Sequence, residues 1–106
     1  MIVEQRTYDF YPGMIPKFMR LYESTGARNL QERILGSLLG YYVSEIGPIN
    51  QTVHLWSYAS LDDRAVRRSA LMDEDVWRDF LSQIVPLLKR QESKILLPTA
   101  FSPKSE

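Results

Sequence analysis

Between Leu38 and Ser60 the chain reads LLGYYVSEIGPINQTVHLWSYAS, two runs rich in Val, Ile, Tyr, Trp and Thr divided by Gly47-Pro48-Ile49-Asn50. β-Branched and aromatic side chains suit a pleated, half-buried surface, and turn formers between two such runs specify a hairpin. The chain's one histidine, His54, lies here, together with its main aromatic clusters and the carboxylate Glu45. Any pocket in this protein is therefore expected to be lined by these strands.

The flanks supply the rest of a sheet. Ile2 to Phe10 alternates in part and is bounded by Tyr11-Pro12-Gly13, so it reads as a first strand. Neither of its two faces is plainly apolar, which suits a sheet covered on both sides. From Met14 the period changes: Ile15, Phe18, Met19 and Tyr22 make a helical stripe. Pro16 is tolerable only in a first turn, which sets the helix start near Gly13 or Met14, and Gly26 is its stop. A shorter helical piece, Asn29 to Leu35, closes at Gly36. After the hairpin, Ser60 and Asp63 form a capping-box-like start for a helix running to Ser69 or Met72. Asp73 reads as a fresh N-cap, Trp77, Phe80, Leu81, Ile84 and Leu88 as an apolar stripe, and Pro86 as its end near Ile84. Glu92 to Leu97 reads as a fourth strand and Thr99 to Glu106 as a tail.

The order strand, helix, strand, strand, helix, strand is the split βαβ arrangement. The expected class is α+β, ferredoxin-like βαββαβ, with a four-stranded antiparallel sheet and helices on one face. Its 106 residues make a single domain, 1–106. The uncovered sheet face would then carry Trp56, Tyr58, Tyr8 and either Tyr41 or Tyr42, a patch of roughly several hundred Å². A second copy is the simplest cover, so a two-fold homodimer closing a dimeric α/β barrel is expected.

Composition narrows the function classes. Thirteen basic residues balance thirteen acidic ones, so there is no net field to gather phosphates and no nucleic-acid partner is expected. The absence of cysteine excludes disulfides and thiolate chemistry, a single histidine argues against a zinc site, and no metal or other cofactor is expected. A charged N-terminus and the lack of a long apolar run lead to the expectation of a cytoplasmic protein with neither signal peptide nor membrane span.

Within the third strand the set Thr52, His54, Trp56 and Tyr58 has polar tips, while Val53, Leu55 and Ser57 is smoother. The first set is expected to face the barrel and the second to pack under the helices. A four-residue turn would pair Tyr41 with Trp56 and put Glu45 diagonal to His54. A bulged three-residue turn would instead turn Tyr42 and Ser44 inward. The candidate site is His54 as acid–base group, Glu45 as its orienter and Arg6 as holder of a substrate carboxylate or enolate oxygen. Tyr8, Trp56, Tyr58 and Tyr41 are its walls. The plainer alternative makes His54 a hydrogen-bonded sheet residue, pairs Arg6 with Glu4 or Glu45, and packs the tyrosines. Arg64, Arg67 and Arg68 share a helix face, which either holds an anion or pairs with nearby acids.

The segments Glu4-Gln5-Arg6-Thr7-Tyr8, Pro12-Gly13, Gly40 through Asn50 and His54-Leu55-Trp56-Ser57-Tyr58, with Arg64 beyond them, resemble the NIPSNAP family over nearly the whole chain. The resemblance implies a dimeric α+β barrel and a poorly defined biochemical role, with animal relatives linked to vesicle traffic and mitochondria. Distant members of that superfamily include monooxygenases, haem-degrading enzymes and lactone isomerases, which hold substrate between helices and barrel wall. Haem degradation would need an axial histidine on the helix Leu61 to Ala70, and none is there. Two functions follow as expectations. One is a homodimer binding, and transforming by cofactor-free oxygenation or isomerisation, a small metabolite. The other is a non-enzymatic protein-interaction module with a packed barrel.

Overall fold

The computed structural model describes residues 1–103. Its elements are β1 (Ile2–Phe10), α1 (Ile15–Ser24), α2 (Ala27–Leu35), β2 (Ser37–Val43), β3 (Gln51–Tyr58), α3 (Leu61–Met72), α4 (Asp75–Ile84) and β4 (Leu88–Leu96), with a 3₁₀ turn at Val85–Leu87 before β4. The four strands form one antiparallel sheet in the order β2-β3-β1-β4, the ferredoxin-like arrangement.

Local chemistry accounts for the element ends. Pro16 sits in the first turn of α1. Gly26 then joins α1 to α2 in the left-handed conformation, with φ of 83°. Ser60 caps α3 by accepting a hydrogen bond from the Asp63 amide at 3.1 Å. Asp73 closes α3, and Glu74 is the N-cap of α4, one residue later than the sequence suggests.

β4 starts at Leu88 rather than Glu92. The Tyr11 amide donates to the Leu87 carbonyl at 3.0 Å, which draws the chain into register with β1 immediately after the 3₁₀ turn. From Lys89 onward every residue of β4 is exposed, so the strand has no alternating pattern to betray its beginning. Its Lys, Arg and Glu side chains guard a sheet edge.

The two sheet faces are the reverse of the expectation. Thr52, His54, Trp56 and Tyr58 are buried under the helices, together with Ile2, Glu4, Tyr8 and Phe10. Val53, Leu55 and Ser57 take the open face. The inner surface of the helices is itself aromatic, Phe18, Tyr22, Trp77 and Phe80, and aromatic rings pack best against one another. Among the polar tips of β3, Trp56 and His54 bond to each other.

Candidate functional site

On the helix-facing side of the sheet, residues directly opposite each other share a face and meet. β1 and β3 pair Tyr8 with Thr52, Arg6 with His54, Glu4 with Trp56 and Ile2 with Tyr58. Across β3, His54 pairs with Tyr41. His54 thus lies between an arginine and a tyrosine. Tyr41 stacks on the imidazole at 4.3 Å between centroids, and Tyr8 meets it edge-on at 5.1 Å.

Trp56 donates its indole N–H to His54 Nδ1 at 2.7 Å. Indole nitrogen can only donate, so Nδ1 must accept and the proton of the neutral ring resides on Nε2. Nε2 is buried without a partner. Burial, reinforced by the Arg6 charge and opposed by Glu4, lowers the imidazole to about 3. A histidine that is neutral at pH 7, with its one lone pair already engaged, is a poor general base.

Beside it is a charge cluster. Glu4 is fully buried. Arg64 grips it through Nε to Oε1 at 3.0 Å and Nη2 to Oε2 at 2.8 Å. Arg6 Nη1 donates to Oε2 at 3.0 Å, and Ser93 donates its hydroxyl to the same oxygen. Burial alone would raise this carboxyl; the hydrogen bonds from Arg64 and Ser93 and the two guanidinium charges outweigh it and hold it at about 2. Arg6 also donates Nε to Tyr8 Oη at 3.1 Å, linking the cluster to the aromatic wall.

The structure therefore gathers His54, Arg6, Tyr8, Trp56, Tyr58 and Tyr41, but on the helix side of the sheet. Glu45 is not among them. It is exposed in the loop between β2 and β3, two positions past the end of β2. The Ser44 amide donates to the Gln51 carbonyl at 2.9 Å, which makes the loop longer than either turn considered and pairs Tyr41 with His54 instead of Trp56. A bulge between Leu38 and Gly40 leaves Tyr41 facing the helices and Tyr42 exposed on the other face. The buried carboxylate is Glu4, which the sequence offered only as an alternative partner of Arg6, the pairing found here. Its signal was there: it falls in step with Ile2, Tyr8 and Phe10, all buried. Gln31, whose side-chain carbonyl accepts from the Tyr22 hydroxyl, was also passed over.

Between helices and sheet, the space lined by His54, Tyr8, Tyr41, Tyr22, Gln31 and five apolar or aromatic residues measures about 10 Å³. The open face carries a larger apolar depression of about 430 Å³, lined by Val3, Leu39, Leu55 and Leu96 together with residues of both termini.

The family model described as NIPSNAP matches residues 3–103. The chain belongs to the NIPSNAP family. It is 31% identical to human Protein NipSnap homolog 2 over 103 residues, covering 96% of this chain and 35% of that protein. Protein NipSnap of Drosophila melanogaster is 30% identical, with 96% and 36% covered. The chain thus spans about a third of these curated relatives. A NIPSNAP family protein of unknown function from Agrobacterium tumefaciens superposes with a TM-score of 0.90 at 47% identity, covering 97% of this chain and 92% of that one. A putative antibiotic biosynthesis monooxygenase from Nitrosomonas europaea shares the fold alone, with a TM-score of 0.67 at 11% identity and 92% and 98% covered. Among the described residues, no helix of this NIPSNAP chain is long and apolar enough to cross a membrane.

Proposed function

We propose that this chain is a homodimeric interaction module whose helix–sheet interior is a packed core. The observation that carries the reading is the size of that interior, about 10 Å³. Such a space takes roughly one water, whereas small-molecule sites run to about 300 Å³ or more. The engaged lone pair of His54 supports the same reading. The proposed partner surface is the open sheet face, where Val3, Val53 and Leu55 are half-buried and Leu39, Tyr42 and Leu96 are exposed. A second copy would cover this aliphatic face, not the aromatic one expected from the sequence. Light scattering should report about twice the 12.4 kDa of one chain at micromolar concentration. Val53→Arg with Leu55→Arg should return it to one chain. A monomeric parent protein would sink the proposal. The proposed location is the cytoplasm, checked by fractionating cells that express the chain.

One observation favours a second reading, a small-metabolite site of oxygenase or isomerase type. His54 Nε2, Thr52 Oγ1 and Trp77 Nε1 are all buried polar atoms without partners in the helix–sheet layer. Binding there would require the helices to separate until the space reached a few hundred Å³. In this reading Arg6 and His54 hold the ligand and Tyr8, Tyr41, Trp56 and Tyr58 wall it, without Glu45. Unchanged ligand binding and turnover in His54→Ala and Arg6→Ala would remove it.

A further inference from the structure

We propose that Phe101, on the turn that follows β4, enters the apolar depression of a second copy of this chain, each copy giving one ring and receiving one. This contact rests on the homodimer reading given above and anchors that dimer.

The depression lies at one end of the open sheet face. Val3 pairs with Leu96 on one side and lies diagonal to Leu55 on the other, and Leu39 continues the row on β2. Further along the strands the same face turns polar, with Gln5 opposite Lys94, Thr7 opposite Glu92 and Asp9 opposite Arg90. The apolar surface is therefore a patch at the Val3 end, and the depression of about 430 Å³ is over it. About 150 Å³ suffices for a benzene ring, so a phenyl group fits.

The chain's own tail makes one wall of this depression without filling it. Thr99, Ser102 and Pro103 line it, while Phe101, between them in sequence, does not and is 93% exposed. Its turn is closed locally: the Phe101 amide donates to Thr99 Oγ1 at 3.2 Å and the Ser102 amide to the Thr99 carbonyl at 3.1 Å. The ring is thus held outside its own depression by a turn whose other residues border it. A ring presented on a formed turn loses little further freedom on burial, which favours binding. Ile46 is equally exposed, but it is on the loop between β2 and β3 at the opposite end of the sheet.

Area and symmetry make a second copy the occupant. Four strands of seven to nine residues, about 4.8 Å apart with about 3.3 Å per residue, give the open face roughly 500 Å² in projection. A stable interface takes about 800 Å² from each partner. The tail makes up the difference: Phe101 can bury about 150–250 Å², and Leu97, 75% exposed directly after β4, adds to it. In a two-fold contact each patch meets the same patch of the partner. Burying the Val3 end of one face against the Val3 end of the other brings each tail to the partner's depression.

Sedimentation equilibrium of the full chain and of Phe101→Ala tests this. The exposed ring supports nothing within a single chain, so the variant should fold as the parent does. Its dimer should dissociate at about a hundredfold higher concentration or more, because two rings are lost per dimer. The chain has no cysteine, so one pair can be introduced for cross-linking. Phe101→Cys and Leu39→Cys on separately tagged chains, once mixed, should give a disulfide between the two chains. A parent dimer that Phe101→Ala leaves equally tight would overturn the Phe101 contact and leave the dimer standing, whereas a monomeric parent would remove both. With both substitutions in one chain, a disulfide formed only within that chain would overturn the contact and assign the depression to the chain's own tail.

Discussion

Trp56 and His54, two positions apart on the buried face of β3, are tied by an indole N–H to Nδ1 hydrogen bond of 2.7 Å. This bond fixes the tautomer of the imidazole and uses up its basic lone pair. Replacing Trp56 by Phe leaves the Nδ1 acceptor buried and unpaired. The expected loss is about 2 kcal/mol, from that desolvated acceptor and from the packing given up by a smaller ring. Urea unfolding of Trp56→Phe against the parent measures it.

His54 also sets the pH dependence. Its folded pKa is about 3, below the ordinary 6.5, so the unfolded chain binds a proton that the folded chain refuses. Its contribution to stability is complete above pH 6.5 and declines as pH falls toward 3. Between pH 6 and 5 it is the one side chain in the sequence whose ordinary range is crossed. Stability there should fall by about 1 kcal/mol per pH unit. His54→Gln, whose amide oxygen can still accept from Trp56, should flatten that slope.

Glu4 acts at lower pH. Its carboxyl is held at about 2 instead of 4.5, so its stabilisation is present above pH 4.5 and lost as pH falls through 2. Glu4→Gln keeps the shape and removes the charge that Arg64 and Arg6 surround. Breaking a buried ion pair from one side costs about 3 kcal/mol or more. The variant should be destabilised by that order at pH 7 and show a shallower acid limb, both readable from denaturation curves taken across the pH range.

Gly36, which closes α2, has φ of 91° and faces the Arg67 guanidinium, whose Nη1 would be 3.2 Å from an added Cβ. Gly36→Ala should cost about 1–3 kcal/mol of backbone strain and, in addition, loosen the bond from Arg67 to the Ile34 carbonyl. Gly13, with φ of 80° and nothing within 4 Å of an added Cβ, is the control. Gly13→Ala should carry the strain alone and lose less. Thermal unfolding of the two variants gives the difference.

Much of this architecture is legible in the residues themselves. Pro16, Gly26, Gly36, Ser60 and Pro86 mark ends of helices because they act on their own few residues of backbone. The site is legible in its membership and not in its orientation. Arg6, Tyr8, His54, Trp56 and Tyr58 fall on one face by simple alternation. Tyr41 joins them only because of the bulge near Leu39, which a pattern of period two cannot register. Glu45 is expected beside His54 on an assumed turn, and a longer loop carries it away into solvent.

The sequence by itself determined which elements form, their order and the positions of β1 and β3 that share a face, since these depend on backbone preferences and on the two-residue repeat of an unbulged strand. Tertiary structure alone decided which face the helices cover, because that turns on how well Phe18, Tyr22, Trp77 and Phe80 fit against His54, Trp56 and Tyr41. It also decided that Glu4 belongs to Arg64, a partner sixty residues away. No local rule connects those two positions; the fold brings their opposite charges together where little water can screen them.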